Sequence, residues 1–152
     1  MRCSALFPVL AIVAVTPLAA QDVQDSVPVL QEIVVTADRS PTPLARVVAA
    51  TTVITGEELR ARGVYSLEDA LRQVPGAAVV PTGSFGGVGS LFLRGGESDY
   101  TKVLIDGVPV NQPGGAFNFG TLSTDNIERI EVVRGPASVL YGSDAVTGVV
   151  QI

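Results

Sequence analysis

The chain has 152 residues, a formal net charge of −5 and no histidine. A net acidic chain without basic runs disfavours nucleic-acid binding, so we expect no nucleic-acid partner. The lack of histidine removes the commonest general base and metal ligand. The composition therefore argues against an enzyme, and no pattern in it indicates a metal site or a bound cofactor.

Residues 1–20 predict a secretory signal peptide. Arg2 gives a positive start, an apolar run covers residues 5–15, and small residues precede Gln21, where we expect cleavage. Cys3, the only cysteine, is removed with this peptide, so the mature protein is expected to have no disulfide. No later run approaches the roughly 20 apolar residues that span a bilayer as a helix.

Residues 21–46 predict a flexible, extended tail, because they are acidic and contain three prolines. Within this tail, three consecutive β-branched residues favour a strand rather than a helix, and the sequence offers this strand no partner nearby. The segment around them consists of Glu32, Ile33, Val34, Val35, Thr36 and Ala37.

Two short helices are predicted near the start of the domain that we place at residues 47–152. Thr55 lies three residues before Glu58, and Ser66 lies three residues before Asp69. At this spacing a hydroxyl caps the N-terminus of a helix. In the second helix, apolar residues recur at i, i+3, i+4 and i+7, so one face is expected to be buried. These residues are Leu67, Ala70, Leu71 and Val74.

The rest of the domain is predicted to consist mainly of strands. Asp106-Gly107 predicts a tight hairpin, because that turn needs positive φ at both central residues. A helix of one or two turns is expected between Pro136, at its first position, and Gly142, just past its end. The predicted strands are residues 51–54, 77–80, 91–94, 102–105 and 127–133, with a further strand-like run at 149–152. Strands and short helices in one domain predict the α+β class.

Charged residues at two places have more than one interpretation. Glu97, Ser98 and Asp99 carry oxygen atoms that could hold calcium, but their spacing fits no calcium loop and needs oxygens from elsewhere. A solvated turn explains these residues better. The charged residues near the last long predicted strand are interpreted as its polar face. They are Glu128, Arg129 and Glu131.

Two predicted connections, residues 81–89 and 111–120, are long and rich in glycine. Connections of this length in a compact domain are typically functional or disordered. The first carries Phe85, and the second carries Phe117 and Phe119. Each of these aromatic residues either contacts a ligand or anchors its loop on the sheet.

Six motifs follow one another along the chain. They are EIVVTA at 32–37, ALRQVPG at 70–76, LRG at 93–95, LIDGVPVN at 104–111, IEVVRGP at 130–136 and YGSDA at 141–145. In this order and at these spacings, they resemble the Ton box and the plug domain of TonB-dependent outer-membrane receptors. The motifs are most similar to those of the cobalamin and siderophore receptors.

The resemblance implies a small mixed β-sheet with short helices and long apical loops. In the family this plug fills a barrel of about 22 strands, a size that needs plugging. We expect a C-terminal outer-membrane β-barrel as a partner that is absent from this chain. The segment 32–37, as a Ton box, would bind a TonB-type periplasmic energy transducer by strand addition. The alternative for this segment is an apolar patch in a linker.

The resemblance also implies roles for single residues. Arg94 and Arg134 would face barrel glutamates and lock the plug in place, since a guanidinium holds two carboxylate oxygens at once. The alternative is a pair of exposed charges at strand ends. The loops at 81–89 and 111–120 would face a small-molecule ligand. The candidate ligand-facing residues are Ser84, Phe85, Asn111, Gln112, Phe117 and Asn118.

Two functions follow from this resemblance. The first is the gate of an outer-membrane receptor for energy-coupled uptake of a scarce large nutrient, such as cobalamin or an iron-siderophore. The second is a stand-alone periplasmic binding module that has the plug fold and performs no transport. As part of a complete receptor the chain would lie in the outer membrane, and alone it would lie in the periplasm.

Overall fold

A computed structural model describes residues 33–34, 36–84 and 86–152. The expected signal peptide, most of the expected tail, and the candidate site residues Glu32, Val35 and Phe85 lie outside the described residues. Over the described ranges, no helix combines the length and the apolar character needed to cross a membrane.

The described chain forms nine strands and three α-helices. The strands are β1 Ile33–Val34, β2 Thr42–Pro43, β3 Ala50–Thr55, β4 Ala77–Thr82, β5 Val88–Leu93, β6 Thr101–Ile105, β7 Val108–Pro109, β8 Arg129–Arg134 and β9 Gly148–Gln151. The helices are α1 Gly56–Ala61, α2 Leu67–Leu71 and α3 Ser138–Tyr141. Three 3-10 turns occur at Leu44–Arg46, Ser98–Tyr100 and Phe119–Thr121.

The principal sheet has five strands in the order β3-β8-β9-β6-β7. Strands β6 and β9 are parallel, and the other neighbours are antiparallel, so the sheet is mixed. Two further pairs, β1-β2 and β4-β5, form two-stranded sheets. A mixed sheet with short helices confirms the predicted α+β class.

The main core lies on one face of the principal sheet. Ile130 and Val132 of β8 and Val150 of β9 are fully buried there, against the two N-terminal helices and the β4-β5 pair. The apolar stripe predicted for α2 is confirmed, since Leu67, Ala70, Leu71 and Val74 all lie in this core. Each buried leucine contributes roughly 1.5–3 kcal/mol relative to an exposed one.

A smaller cluster covers the second face of the same sheet. It contains Leu104, Val133 and Val149 from three adjacent strands, together with Ala145 from the loop after α3. The side chains of Ala37, Ala137 and Tyr141 pack on it. Alternation along the strands separates the two clusters, because successive side chains point to opposite faces.

One predicted helix cap is confirmed and the other is wrong. The Thr55 hydroxyl accepts from the Glu58 N–H at 3.2 Å, as the spacing indicated. Ser66 makes no side-chain cap bond. It forms a β-bridge with Ser123 instead, and the Asp69 carboxylate pairs with Arg72. Tertiary pairing therefore replaces the local cap at the start of α2.

The tight turn at Asp106-Gly107 is confirmed, with φ values of 49° and 78° between β6 and β7. The predicted connection 81–89 is too long, because β4 and β5 pair from Ala77↔Leu93 out to Thr82↔Val88 and leave only residues 83–87 between the strands. Pro81 is compatible with β4 because that strand has an unpaired edge. The last helix begins at Ser138, two residues after the predicted Pro136, and Gly142 follows its end with φ 88°.

The tail differs most from expectation. Ile33–Val34 pairs in antiparallel fashion with Thr42–Pro43, so the expectation that this strand lacks a nearby partner is wrong. The intervening residues 36–41 turn the chain back, and the Val34 side chain is fully buried. The Ton-box-like strand is therefore the first strand of a hairpin on the domain.

Gly56 provides a test of this packing. Its N–H donates to the Glu128 carbonyl at 2.7 Å, and a methyl group here would lie 2.0 Å from the Ile127 carbonyl oxygen. We predict that Gly56→Ala lowers the free energy of unfolding by about 1–3 kcal/mol in urea denaturation. The added methyl group would clash with the Ile127 carbonyl, which is part of the backbone and cannot move aside as a flexible side chain could. Glu57→Ala, at the exposed next position, should change it by less than about 0.5 kcal/mol. Equal values for the two variants would contradict the close approach.

Candidate functional site

Thr36, in the Ton-box-like segment, is attached to the domain through all its polar groups. Its N–H donates to Glu131 Oε2 at 2.9 Å, and its hydroxyl donates to the same oxygen at 2.5 Å. Its carbonyl accepts from the Tyr141 hydroxyl at 2.8 Å. The Thr36 side chain is buried, and Ala37 packs on the second-face cluster. Residues 33, 34, 36 and 37 are called the docked segment below.

Glu131 is fully buried, so its assignment to a polar strand face is wrong. The residue points to the second face of the sheet, and the docked segment covers it there. Its carboxylate also pairs with Arg129 Nε at 3.0 Å. These partners explain the burial, because a carboxylate is excluded from water only where charges and donors compensate it.

Tyr141 lies at the end of α3 and holds the other side of Thr36. The Arg39 guanidinium carbon is 4.6 Å from the centre of the Tyr141 ring, a cation–π distance. Burial raises the pKa of the Tyr141 hydroxyl above its ordinary value, and Arg39 partly opposes this effect. The phenol is therefore protonated at neutral pH and serves as a hydrogen-bond donor.

The loop after α3 is fixed to strand β6. Lys102 Nζ donates to Asp144 Oδ2 at 2.9 Å. The hydroxyls of Thr101 and Thr147 are hydrogen-bonded to each other at 3.0 Å. The hydrogen bond from Lys102 lowers the pKa of the Asp144 carboxyl. Because that pKa is lowered, the ion pair is present above the ordinary carboxyl pKa and is lost as pH falls through the lowered value. This loop thus carries Tyr141 on a fixed support.

A cleft of about 1160 Å³ opens beside the docked segment. Thr36, Glu131 and Tyr141 border it, as do Arg39 and the Asp106-Gly107 turn. Over the residues that the structure describes, no group of three or more histidine, cysteine, aspartate or glutamate side chains is placed to hold a metal ion.

Arg94 and Arg134 are brought to the same end of the domain. Arg134 ends β8, and its Nη1 donates to the Pro75 carbonyl at 2.6 Å. Arg134 Nε is buried without an acceptor among the described residues. Arg94 follows β5 with φ 52°, and its Nη1 lies against Gly135, the residue after Arg134. A buried donor of this kind ordinarily has a partner.

The two predicted ligand loops are also brought together. Asn118 Oδ1 accepts from the Gly89 N–H at 2.8 Å and from the Gly120 N–H at 2.9 Å. A groove of about 630 Å³ lies between them, and Ser84 and Glu68 are among its lining residues. Gly120 has no room for a side chain, because a Cβ would lie 2.3 Å from the Gly87 carbonyl oxygen.

The remaining candidate ligand residues differ in accessibility. Gln112 is exposed, whereas Asn111 binds backbone groups of Val103, Thr101 and Gly115 with its amide. Phe119 is buried in the main core and contacts Phe117 edge to face, with ring centres 4.8 Å apart. Phe119 therefore anchors its loop, one of the two roles left open for it.

Sequence analysis gave no role to Glu131 or Tyr141 in holding the segment. One signal for Glu131 was available, since it is an acid in the middle of the otherwise apolar run Ile130 to Val133. Strand alternation places it on the same face as Val133. A charge beside a buried valine indicates a specific partner rather than a solvated face.

These features agree with comparisons to known proteins. A family model described as TonB-dependent Receptor Plug Domain matches residues 43–149. The chain therefore belongs to the plug domains of TonB-dependent receptors, as its motifs predicted.

Its relatives are transporters and receptors. The vitamin B12 transporter BtuB of Vibrio vulnificus (strain CMCP6) is 42% identical over 138 residues, which are 91% of this chain and 22% of that protein. The siderophore receptor PirA from Acinetobacter baumannii has a TM-score of 0.55 and 31% identity, over 68% of this chain and 17% of that one. A mutant ferric enterobactin receptor PfeA from Pseudomonas aeruginosa has a TM-score of 0.56 and 30% identity, over 80% and 19%. The chain spans about a fifth of the length of these proteins.

The bridge between the two loops can be tested at Asn118. We predict that Asn118→Ala speeds amide hydrogen exchange at Gly89 and Gly120 about tenfold, because each amide loses its acceptor. Exchange measured by NMR checks this directly. Asn126→Ala, at an exposed position, should leave both rates unchanged. Unaltered exchange at both glycines in Asn118→Ala would mean that the side chain does not join the loops.

Proposed function

We propose that this chain is the gate of an outer-membrane receptor that takes up a scarce large nutrient by energy-coupled transport. Membership of the plug family carries the proposal, and 42% identity to a vitamin B12 transporter over 91% of the chain supports it. In the complete receptor the domain occupies the lumen of an outer-membrane β-barrel. It binds and gates, and it catalyses no reaction.

Coupling to a TonB-type energy transducer proceeds by strand addition. The segment 32–37 has the β-branched composition of a strand, and its described part is extended at Ile33–Val34. A partner strand can pair with it through main-chain hydrogen bonds, which give most of the affinity in this mode of recognition. Force applied to this segment is transmitted to the domain, where it opens a path for the ligand.

The two loops proposed to meet the ligand are uncharged. Residues 77–93 and 107–124, which contain both loops, have no lysine, arginine, aspartate or glutamate. The charges near them have both signs, because Glu68 pairs with Arg72 and Arg94 directly follows residue 93. The loops themselves offer serine and glutamine side chains, which suit a ligand that forms hydrogen bonds.

Arg94 and Arg134 lock the plug to the barrel. Arg134 Nε is a buried donor that lacks an acceptor among the described residues, and the Arg94 guanidinium lies beside the same turn. Barrel glutamates complete this pair with charge-assisted hydrogen bonds.

Strand addition is tested by proline substitution in the segment. We predict that at least one of Val34→Pro and Val35→Pro loses capture of the transducer's periplasmic domain in a pull-down. Proline removes a backbone donor and fixes φ, and donors alternate in direction along a strand. Val34→Thr and Val35→Thr keep the backbone and the side-chain shape, so they should retain capture. Native binding by both proline variants would contradict strand addition.

A further inference from the structure

We propose that Glu131 and Tyr141 form a clamp on Thr36 that competes with the energy transducer for the same backbone groups. The clamp thereby sets how readily the docked segment can be captured. This proposal rests on strand addition to segment 32–37 as the coupling step, and it assigns the regulation of that step to two residues outside the segment.

The competition follows from the geometry of a β-ladder. In an antiparallel ladder, a hydrogen-bonded residue gives its N–H and its C=O to the same partner strand. In the docked segment the N–H of Thr36 is used by Glu131, and its C=O is used by Tyr141. Clamping and strand pairing are therefore mutually exclusive where residue 36 occupies a hydrogen-bonded position of the added ladder.

Glu131 is the stronger half of the clamp. One carboxylate oxygen receives both the N–H and the hydroxyl of Thr36, at 2.9 and 2.5 Å. Bonds to an ionised acceptor are roughly twice as strong as neutral ones. Glu131 is fully buried in the middle of β8, a strand paired on both sides, so the acceptor is fixed before the segment docks.

Tyr141 is held in place independently of the segment's strand. Its loop is attached to β6 through Lys102 and Asp144, and its ring faces the Arg39 guanidinium. Arg39 lies only three residues after Thr36, so this contact closes the turn behind the docked segment. Glu131 is thus positioned by the sheet, and Tyr141 by α3 and the loop fixed to β6.

A clamped segment has a reduced apparent affinity for its partner. The measured dissociation constant equals the intrinsic one divided by the fraction of molecules whose segment is open. Weakening the clamp raises that fraction without altering any residue of segment 32–37. Glu131 and Tyr141 are therefore positioning residues, and their variants should gain affinity.

The test compares the purified protein with a free synthetic peptide of residues 29–40, each titrated with the transducer's periplasmic domain. We expect the peptide to bind more tightly than the wild-type protein. Tyr141→Phe removes one hydrogen bond to Thr36 and should tighten binding about fivefold. Glu131→Gln removes the ionised acceptor and should tighten it by at least as much. Neither variant should bind more tightly than the peptide.

Two matched variants control for side effects. Tyr65→Phe removes an exposed hydroxyl from a residue that does not border the cleft at the docked segment. Glu128→Gln makes the same charge change as Glu131→Gln at an exposed position beside that cleft. Both should bind like the wild type. Amide exchange should accelerate at Thr36 in the clamp variants while β8 and β9 stay protected, which separates release of the segment from general unfolding.

The outcomes distinguish the two proposals. If the free peptide fails to bind, strand addition is wrong, and the role of the clamp in coupling is wrong with it. If the peptide and the wild-type protein bind equally, the clamp alone is overturned. The clamp is also overturned if Tyr141→Phe speeds amide hydrogen exchange at Thr36 but leaves the affinity for the transducer unchanged. If Glu131→Gln does not fold, the affinity of Tyr141→Phe for the transducer's periplasmic domain tests the clamp alone.

Discussion

Both faces of the domain depend on the alternation of side chains along strand β8. This strand is paired with β3 on one side and β9 on the other, so its register is set along its length. Ile130 and Val132 enter the main core, while Glu131 and Val133 point to the second face. A slip of one residue would place the carboxylate in the core. One strand therefore fixes the core and the docking place of the segment together.

Glu131 is better explained by what it binds than by what it adds to stability. Replacing a buried charged pair with apolar residues of similar volume is often neutral or stabilising. An apolar side chain would also extend the cluster around Val133 and Val149. The carboxylate instead supplies one acceptor for both donors of Thr36. It gives the segment a defined position on a domain whose relatives are transporters and receptors.

Local chemistry was predictable from the sequence, and long-range pairing was not. The Thr55 cap and the Asp106-Gly107 turn depend on neighbouring residues, and both predictions are confirmed. The Ser66 cap had the same local pattern and failed because a bridge to Ser123 replaced it. The motifs identified the family. The partners of Thr36, Glu131 and Tyr141, lie 95 and 105 residues away in the sequence. Local residue spacing cannot predict contacts over such separations.

The bond between Thr36 and Glu131 is the most direct measure of this account. A scalar coupling across that hydrogen bond, from the Thr36 amide nitrogen to the Glu131 carboxyl carbon, can be recorded by NMR on isotope-labelled protein. We predict a detectable coupling, together with a slowly exchanging Thr36 amide, because the bond, at 2.9 Å, has good length and is buried. Random-coil shifts and fast exchange at Thr36, with a protected β8, would show a folded plug that does not hold the segment.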